Sequence, residues 1–425
     1  MSHYYCGPLD CTMDDQSTGR IVVLGGGSSH ARNWIGKETL THINRTCGTP
    51  PDLHLDILAT FFSICAVDLV ADRSKSVDGW TRELDMTIAV SNPQLFQAAT
   101  GDLIRGVNFL TGDRWNITFI GGPSYIQNHR RRAVDASTDC VSLLSGGMDS
   151  LVGLLDRVAE GRRPLAVSHV YNGDGATQDR FARSITPNLP HLKTSQAAHL
   201  PDKPTNPPSQ RARSLAFLGL AIAAAGSNAV AANANGRKEV VMPENGFISL
   251  NPPLTVSRIG SHSTRTTHPI FLSHLSSFLN QIGAQIEISN PYQLKTKGEM
   301  IAECRNASLC QSLLGHSISC GIYRRNSKEH CGTCLPCLIR RSAFKKASIT
   351  DNTPSYSSAV LTSGAPSQMS GSICDAIHGF NRYRQLGIKP FIGPHFSQMS
   401  PYSFGDLCSV ASRGFNELGE LLGLA

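Results

Sequence analysis

Hydrophobic positions along the chain fall into three regimes. Between Asp52 and Asp72, Leu55, Leu58, Phe62, Ala66 and Leu69 recur at helical spacing, which predicts a helix. Leu84, Met86, Ile88 and Val90 then alternate with polar residues, the period of a half-buried strand. After the start signal Asn92-Pro93, a second helical pattern runs from about Gln94 to Leu110. Thr111-Gly112-Asp113 reads as a turn, and Trp115, Ile117 and Phe119 alternate again as a strand. Residues 1–130 therefore read as an α+β module. From 135 to 350, apolar runs at Cys140–Leu144, Leu165–Val170, Glu239–Met242 and Glu287–Ile288 are separated by helical stretches, the pattern of a parallel α/β sheet. Arg213–Ala232, rich in Ala and Leu, predicts a helix buried on most sides. Residues 351–425 form a third region. Within it, 353–372 is rich in Ser, Pro and Gly and predicts a flexible connection. Val410, Phe415, Leu418, Leu421 and Leu422 then share a helical face between Leu407 and Leu424. That face docks either on the chain's own core or on a partner protein. No internal repeat is visible.

Length and composition narrow the class. A chain of 425 residues fits two or three domains. With 40% hydrophobic and 17% charged residues, a packed core is within reach and bulk disorder is disfavoured. The longest unbroken apolar run, Leu215 to Gly226, is shorter than the roughly 18 residues a membrane span needs. The start MSHYYCGPLD has neither a basic nor an apolar signal region. These features predict a soluble cytoplasmic protein with no membrane partner. The net charge of +7 permits a nucleic-acid partner without arguing for one.

The first chemical signal is Ser145-Gly146-Gly147-Met148-Asp149-Ser150. It follows the β-like run Cys140–Leu144 and opens a helix at Leu151–Leu155. Two glycines let the backbone approach a ligand and aim N–H groups at it. The helix N-terminus adds positive potential, and the hydroxyls of Ser145 and Ser150 can donate to phosphate oxygens. Asp149, in the first turn, can cap the helix or help hold Mg²⁺. The loop lacks the Gly-Lys-Ser/Thr ending of a Walker A motif.

The second signal is cysteine spacing. Three of the 13 cysteines, Cys331, Cys334 and Cys337, fall at i, i+3 and i+6, a knuckle that needs one more ligand to close a tetrahedral Zn²⁺ site. Cys320 is the choice for the fourth ligand, with Cys304, Cys310, His316 and His330 as rivals. A closed Cys₄ set reads as structural zinc, and an Fe–S cluster is the alternative. An odd cysteine count with no secretion signal disfavours a disulfide framework. Arg340, Arg341, Lys345 and Lys346 follow the cluster closely, as its negative charge would favour.

Two other features are weaker. Leu24-Gly25-Gly26-Gly27-Ser28-Ser29 carries His30 where a dinucleotide fingerprint needs glycine, and reads as a strand-to-loop turn. His129-Arg130-Arg131-Arg132 is either a solvated linker or a phosphate or RNA contact.

The Ser145–Ser150 sextet resembles the pyrophosphate loop of the PP-loop ATP pyrophosphatases. Combined with Cys320 and Cys331-Gly-Thr-Cys334-Leu-Pro-Cys337, it resembles the QueC family, the 7-cyano-7-deazaguanine synthases of queuosine precursor synthesis. Arg213-Ser-Leu-Ala-Phe217-Leu218 and Pro291-Tyr-Gln-Leu-Lys295-Thr296-Lys297-Gly-Glu299-Met300 are similar to further segments of that family. The resemblance covers about 138–348. The whole layout, with Phe109–Trp115, Pro243–Phe247, Ser263–Pro269 and Cys337–Arg341, is similar to the QatC family, the QueC-like component of Qat anti-phage systems. An Asp-x-x-Gly-Tyr-Pro-Asp-Cys-Arg stretch of QueC is absent; Met242–Phe247 and Ser263–Pro269 stand in its place.

The resemblance implies an adenine nucleotide alpha-hydrolase-like fold and a C–N ligase that uses ATP, Mg²⁺ and Zn²⁺ on a 7-deazaguanine-type carboxylate. Ser145, Gly146, Gly147, Asp149 and Ser150 would bind the phosphates. Lys297 and Arg265 would offset charge on the carboxylate or the leaving pyrophosphate, with Asp149, Lys297 and Arg265 as the catalytic set. Arg213, Glu244, Asn245, Arg265 and His268 would line the substrate pocket, Glu244 accepting from a guanine-like edge. Read without the resemblance, Glu244-Asn-Gly is a turn with a helix cap, Arg265 and His268 each take part in a loop salt bridge, and Thr296-Lys-x-Glu299 is a capping box. The product is a nitrile, an amide or a conjugate with an amine, which in a defence operon would belong to a partner protein. The alternatives are a nucleotide-sensing subunit without turnover and a plain 7-cyano-7-deazaguanine synthase. Thiolation of tRNA ranks low, because Cys140 lies inside a strand.

Overall fold

The computed structural model describes residues 3–11, 19–25, 33–126, 132, 136–170, 173–201, 210–252, 254, 265–358, 361, 371–393 and 401–424. Most of the glycine-rich turn, His129–Arg131, Ser263 and Thr264 lie outside them. The described strands form two five-stranded sheets, parallel throughout. The first contains β1 (His3–Gly7), β2 (Arg20–Val23), β3 (Trp34–Ile35), β4 (Glu83–Val90) and β5 (Arg114–Gly121), in the order β3-β2-β1-β4-β5. The second contains β6 (Cys140–Leu143), β7 (Pro164–His169), β8 (His191–Thr194), β9 (Lys238–Val241) and β10 (Ile286–Ser289), in the order β10-β9-β6-β7-β8.

The first sheet corrects the α+β expectation. Helix α3 (Pro93–Thr111) connects β4 to β5 as a parallel crossover. The strands alternate all the same, because one face of this sheet stays polar. On it Asn116 donates to Asp85 (2.8 Å), and His3 pairs with Thr87 (2.8 Å). Such alternation is commoner in antiparallel sheets.

Helices α1 (Thr39–Cys47) and α2 (Asp52–Val70) precede β4. In the second sheet, α4 (Met148–Ala159) and α5 (Gly175–Ile185) link β6, β7 and β8. Then α6 (Arg213–Gly226), α7 (Gly246–Ser249) and α8 (Pro269–Gln281) carry the chain to β10. Helices α2 and α6 pack on each other between the sheets, as do α3 and α8. The core there takes in residues from Cys6 to Ile286, so it runs across the expected boundary near 130. Helix α2 is apolar and long enough to cross a membrane, with mean hydropathy 1.8, but it is 89% buried inside this core. Helix α6 stops at Gly226 rather than at 232, because Ser227 bonds back to the Ala224 carbonyl (2.7 Å) and Lys238 donates to the carbonyls of Gly226 and Ser227.

The chain continues through α9 (Lys297–Ala302), α10 (Ala307–Leu314), α11 (Leu335–Lys346), α12 (Gly371–Leu386), α13 (Lys389–Ile392) and α14 (Phe404–Leu422). Val410, Phe415, Leu418 and Leu422 of α14 are buried against Phe247, Leu338 and Phe380, so the last helix docks on its own chain. Residues 353–358, expected to be a flexible connection, are held against the cysteine knuckle by the His330–Tyr356 bridge.

Candidate active site

The Ser145–Ser150 turn lies at the carboxyl end of β6, the central strand of its sheet, where doubly wound folds bind ligands. Gly146 takes φ +88°, and Gly147 is the N-cap of α4. The Ser145 hydroxyl bonds to the Ser150 hydroxyl (3.2 Å) and accepts from the Gly147 N–H (3.4 Å). Ser145 is exposed while Asp149 and Ser150 are buried, so the turn has one open side. Two contacts from elsewhere fix it: Gln178 donates to the Ser145 carbonyl (3.3 Å), and the Ile318 N–H donates to the Gly146 carbonyl (2.9 Å).

Behind the turn sits a charged cluster. Lys297 Nζ is 3.2 Å from Asp149 Oδ1. Asn245 Nδ2 donates to Asp149 Oδ2 (2.8 Å) and to Glu244 Oε1 (3.1 Å). Burial raises the Asp149 pKa, but the Lys297 charge and the hydrogen bonds from Glu244 and Asn245 outweigh it, so the carboxyl titrates below its usual range. Burial and the Asp149 charge push Glu244 well above the usual range. The two shifts run in opposite directions, so the pair favours a proton on Glu244 over one on Asp149. Glu244 Oε1 already accepts from Asn245, so the acceptor role expected of Glu244 is partly filled from within the chain. Asn245 also N-caps α7, accepting from the Ile248 N–H (3.0 Å), so the cap reading and the site reading hold together.

Lys297 opens α9 behind a full capping box: Thr296 accepts from the Glu299 N–H, and Glu299 accepts from the Thr296 N–H (2.9 Å). The last helix closes on this box. Glu417 accepts from the Thr296 hydroxyl, and Arg413 reaches Glu299 (2.6 Å) and the Leu294 carbonyl (2.8 Å). Glu417 and Arg413 carried no sequence signal of a site role; their helical pattern showed only an apolar face.

The remaining expected residues stand elsewhere. Arg265 donates to the Phe109 carbonyl (2.8 Å) and lies 4.8 Å over the Phe109 ring. The His268 ring is 4.9 Å from the same ring, and its Nδ1 accepts from the Ile270 N–H (3.2 Å) to cap α8. These hydrogen bonds and ring contacts place both side chains at Phe109 and Ile270 rather than at the Ser145–Ser150 turn. Their link to the cluster runs through α7, where the Ser249 hydroxyl donates to the Thr267 carbonyl (2.6 Å). Arg213 opens α6 beside a cavity of about 50 Å³ lined by Cys65, Asp68 and Gln196, and burial, with the Arg213 charge second, depresses the pKa of His169 at the end of β7.

The sulfurs of Cys320, Cys331, Cys334 and Cys337 lie within 4.8 Å of one another. The Cys331–Cys337 and Cys320–Cys334 pairs are each 3.9 Å apart. A tetrahedral ion with Zn–S bonds of about 2.3 Å places its sulfurs about 3.8 Å apart, so the set fits zinc. Gly332 at φ +80° makes the tight turn, where a Cβ would stand 2.2 Å from the Ser358 carbonyl oxygen. Three of the four rivals are committed elsewhere: His330 accepts from the Ser319 N–H (3.3 Å), and Cys304 and Cys310 belong to the α4 core; His316 is not in the cluster. Arg340, read from sequence as charge compensation, is fully buried. It donates to the Leu314 and Ser317 carbonyls (2.8 and 3.1 Å) and to Thr353 (2.9 Å). The knuckle helix therefore anchors the 314–319 segment that pins Gly146.

Fold and site together define an α/β protein with two parallel five-stranded sheets, a glycine turn at the end of a central strand and a four-thiol knuckle bracing it. Residues 267–348 match the family model described as queuosine biosynthesis protein QueC. This QueC-like segment contains Lys297 and the four cysteines and excludes the Ser145–Ser150 turn. No curated protein and no solved structure matches the chain.

Proposed function

We propose that this protein is an ATP-dependent ligase that adenylates the carboxylate of a 7-deazaguanine-type substrate and couples it to an amine. The observation that carries the reading is the Ser145–Ser150 turn at the end of the central strand, with the Lys297–Asp149 pair directly behind it. The QueC match over 267–348 supports the substrate class. The substrate carboxylate oxygen attacks the α-phosphorus, and the bond to the β-phosphate oxygen breaks with its electron pair on pyrophosphate. The amine then attacks the acyl carbon, AMP leaves, and the amine proton passes to a base or to water.

In this reading the N–H groups of Gly146 and Gly147 and the hydroxyls of Ser145 and Ser150 hold the pyrophosphate, whose developing charge they stabilise. Mg²⁺ arrives with the nucleotide. Lys297 moves from Asp149 toward the phosphates. Glu244 supplies a proton, while Arg213, Arg265 and His268 form the outer wall of the pocket. Zinc, held by the four cysteines, is structural and takes no part in the chemistry.

The layout beyond the matched segment is similar to that of the Qat anti-phage component, and on that reading the acceptor amine belongs to a partner protein. Mass spectrometry after incubation with ATP, Mg²⁺, 7-carboxy-7-deazaguanine and ammonium tests the reading. An adenylate, amide or protein conjugate supports it, and free nitrile alone selects the plain synthase. No modified product with any acceptor refutes it.

A further inference from the structure

Residues 1–130 have no place in the proposed chemistry, yet their topology repeats that of the half that does. Numbered within each sheet, both have strand order 3-2-1-4-5, all parallel. The crossover between the third and fourth strands is α2 in one and α6 in the other. The crossover between the fourth and fifth is α3 in one and α8 in the other. Each helix packs on its own counterpart, α2 on α6 and α3 on α8. Self-pairing of equivalent elements is what a two-fold isologous interface produces between identical subunits. Here it occurs inside one chain.

The interface is closely fitted. A Cβ on Gly226 of α6 would stand 2.3 Å from the His54 ring of α2. Phe96 of α3 meets Phe278 of α8 at 6.0 Å. Asp102 of α3 accepts from His274 (3.0 Å), Ser277 (2.6 Å) and Gln281 (2.6 Å), three residues along α8.

The halves differ where ligand chemistry would sit. After β6 come Ser145-Gly-Gly and α4. After β1 comes the turn Gly7-Pro8-Leu9-Asp10, closed by the Cys11 N–H on the Pro8 carbonyl (3.2 Å). Instead, the N-terminal half holds the other half's pocket residues. Phe109 carries Arg265 and His268. Asp68 accepts from the Ala212 N–H (2.9 Å), and Cys65 donates to the Ala212 carbonyl (3.0 Å), just before Arg213.

We propose that the N-terminal half is a second copy of the same five-strand unit, lacking a second Ser-Gly-Gly-x-Asp-Ser sextet in its sequence, that takes the place of a partner subunit and positions Arg213, Arg265 and His268. Phe109 and Asp102 are positioning residues. The repeat stands on topology alone, whereas the pocket role of the positioned residues rests on the proposed function.

Two measurements on the full chain test this separately. Hydrogen exchange needs no ligand. Phe109→Ala is expected to speed exchange over 265–272 at least tenfold, leaving α4 unchanged, and Phe109→Tyr to restore protection. Asp102→Asn, which keeps the core volume, is expected to do the same over 274–281. Exchange within twofold of wild type in both variants overturns the positioning role. Calorimetry with ATP then counts sites: one per chain, lost in Asp149→Ala, fits a copy without the sextet, and two per chain overturns it. If no ATP binds, the proposed function fails, and the exchange data still decide the positioning role.

Discussion

Replacing Lys297 by Met removes the cation beside a buried carboxylate. At 3.2 Å and an effective dielectric of about 20, the gross attraction is about 5 kcal/mol. Breaking one side of a buried pair costs about 3–5 kcal/mol. Asp149 keeps the Asn245 donor at 2.8 Å, which places the expected loss at the low end, about 3 kcal/mol at pH 7.5. The sign of the pH dependence follows. In the wild type the Asp149 pKa is depressed, so its contribution is present above the unfolded carboxylate value and lost as pH falls below it. In Lys297→Met the carboxyl is buried without a cation, its pKa rises, and the penalty grows as pH rises above about 4. Urea unfolding at a series of pH values reads this directly. The variant should lie about 3 kcal/mol below wild type at pH 7.5 and within about 1 kcal/mol at pH 4. Asp149→Asn combined with Lys297→Met should recover at least half of the loss. A deficit that does not change with pH, or one under about 1 kcal/mol at pH 7.5, refutes the reasoning.

Three further outcomes are expected. Gly153→Ala would place a Cβ 2.2 Å from Pro243 Cγ, so the Pro243–Asn245 segment must shift; a loss of about 1–3 kcal/mol in urea unfolding is expected, with weaker ATP binding by calorimetry. The purified protein should carry one zinc per chain by elemental analysis, and Cys334→Ser should lose it together with several degrees of melting temperature. Burial pushes Glu417 up to about 7 beside Thr296, Glu299 and Lys346, so its contribution to stability is full below the unfolded value and is lost as pH rises through 7; Glu417→Gln should therefore gain stability relative to wild type between pH 5 and 8, seen as a crossing of the two melting curves.

The sequence made local chemistry legible and left pairing hidden. The Ser145–Ser150 turn, the four cysteines and the Thr296–Glu299 box are contiguous or tightly spaced, so residue type and interval specify them. Helices α2 and α3 announced themselves through apolar period and the Asn92-Pro93 cap. Strands such as His3–Gly7 and His191–Thr194 are too short to show a period. Their parallel partners depend on crossovers that no local pattern encodes. The structural repeat was invisible for the same reason, since only topology and packing express it. Arg340 and Glu417 were legible as residues but not as roles: one braces Ser317 and the other Thr296, over separations of 23 and 121 residues.

On the proposed function, ATP bound at the Ser145–Ser150 turn is cleaved between the α and β phosphates. ATP labelled at the α-phosphate, incubated with Mg²⁺, 7-carboxy-7-deazaguanine and ammonium, tests it most directly. Labelled AMP that depends on the carboxylate and disappears in Asp149→Ala is the expected result. Labelled ADP, or bound ATP left intact with every acceptor, would contradict it.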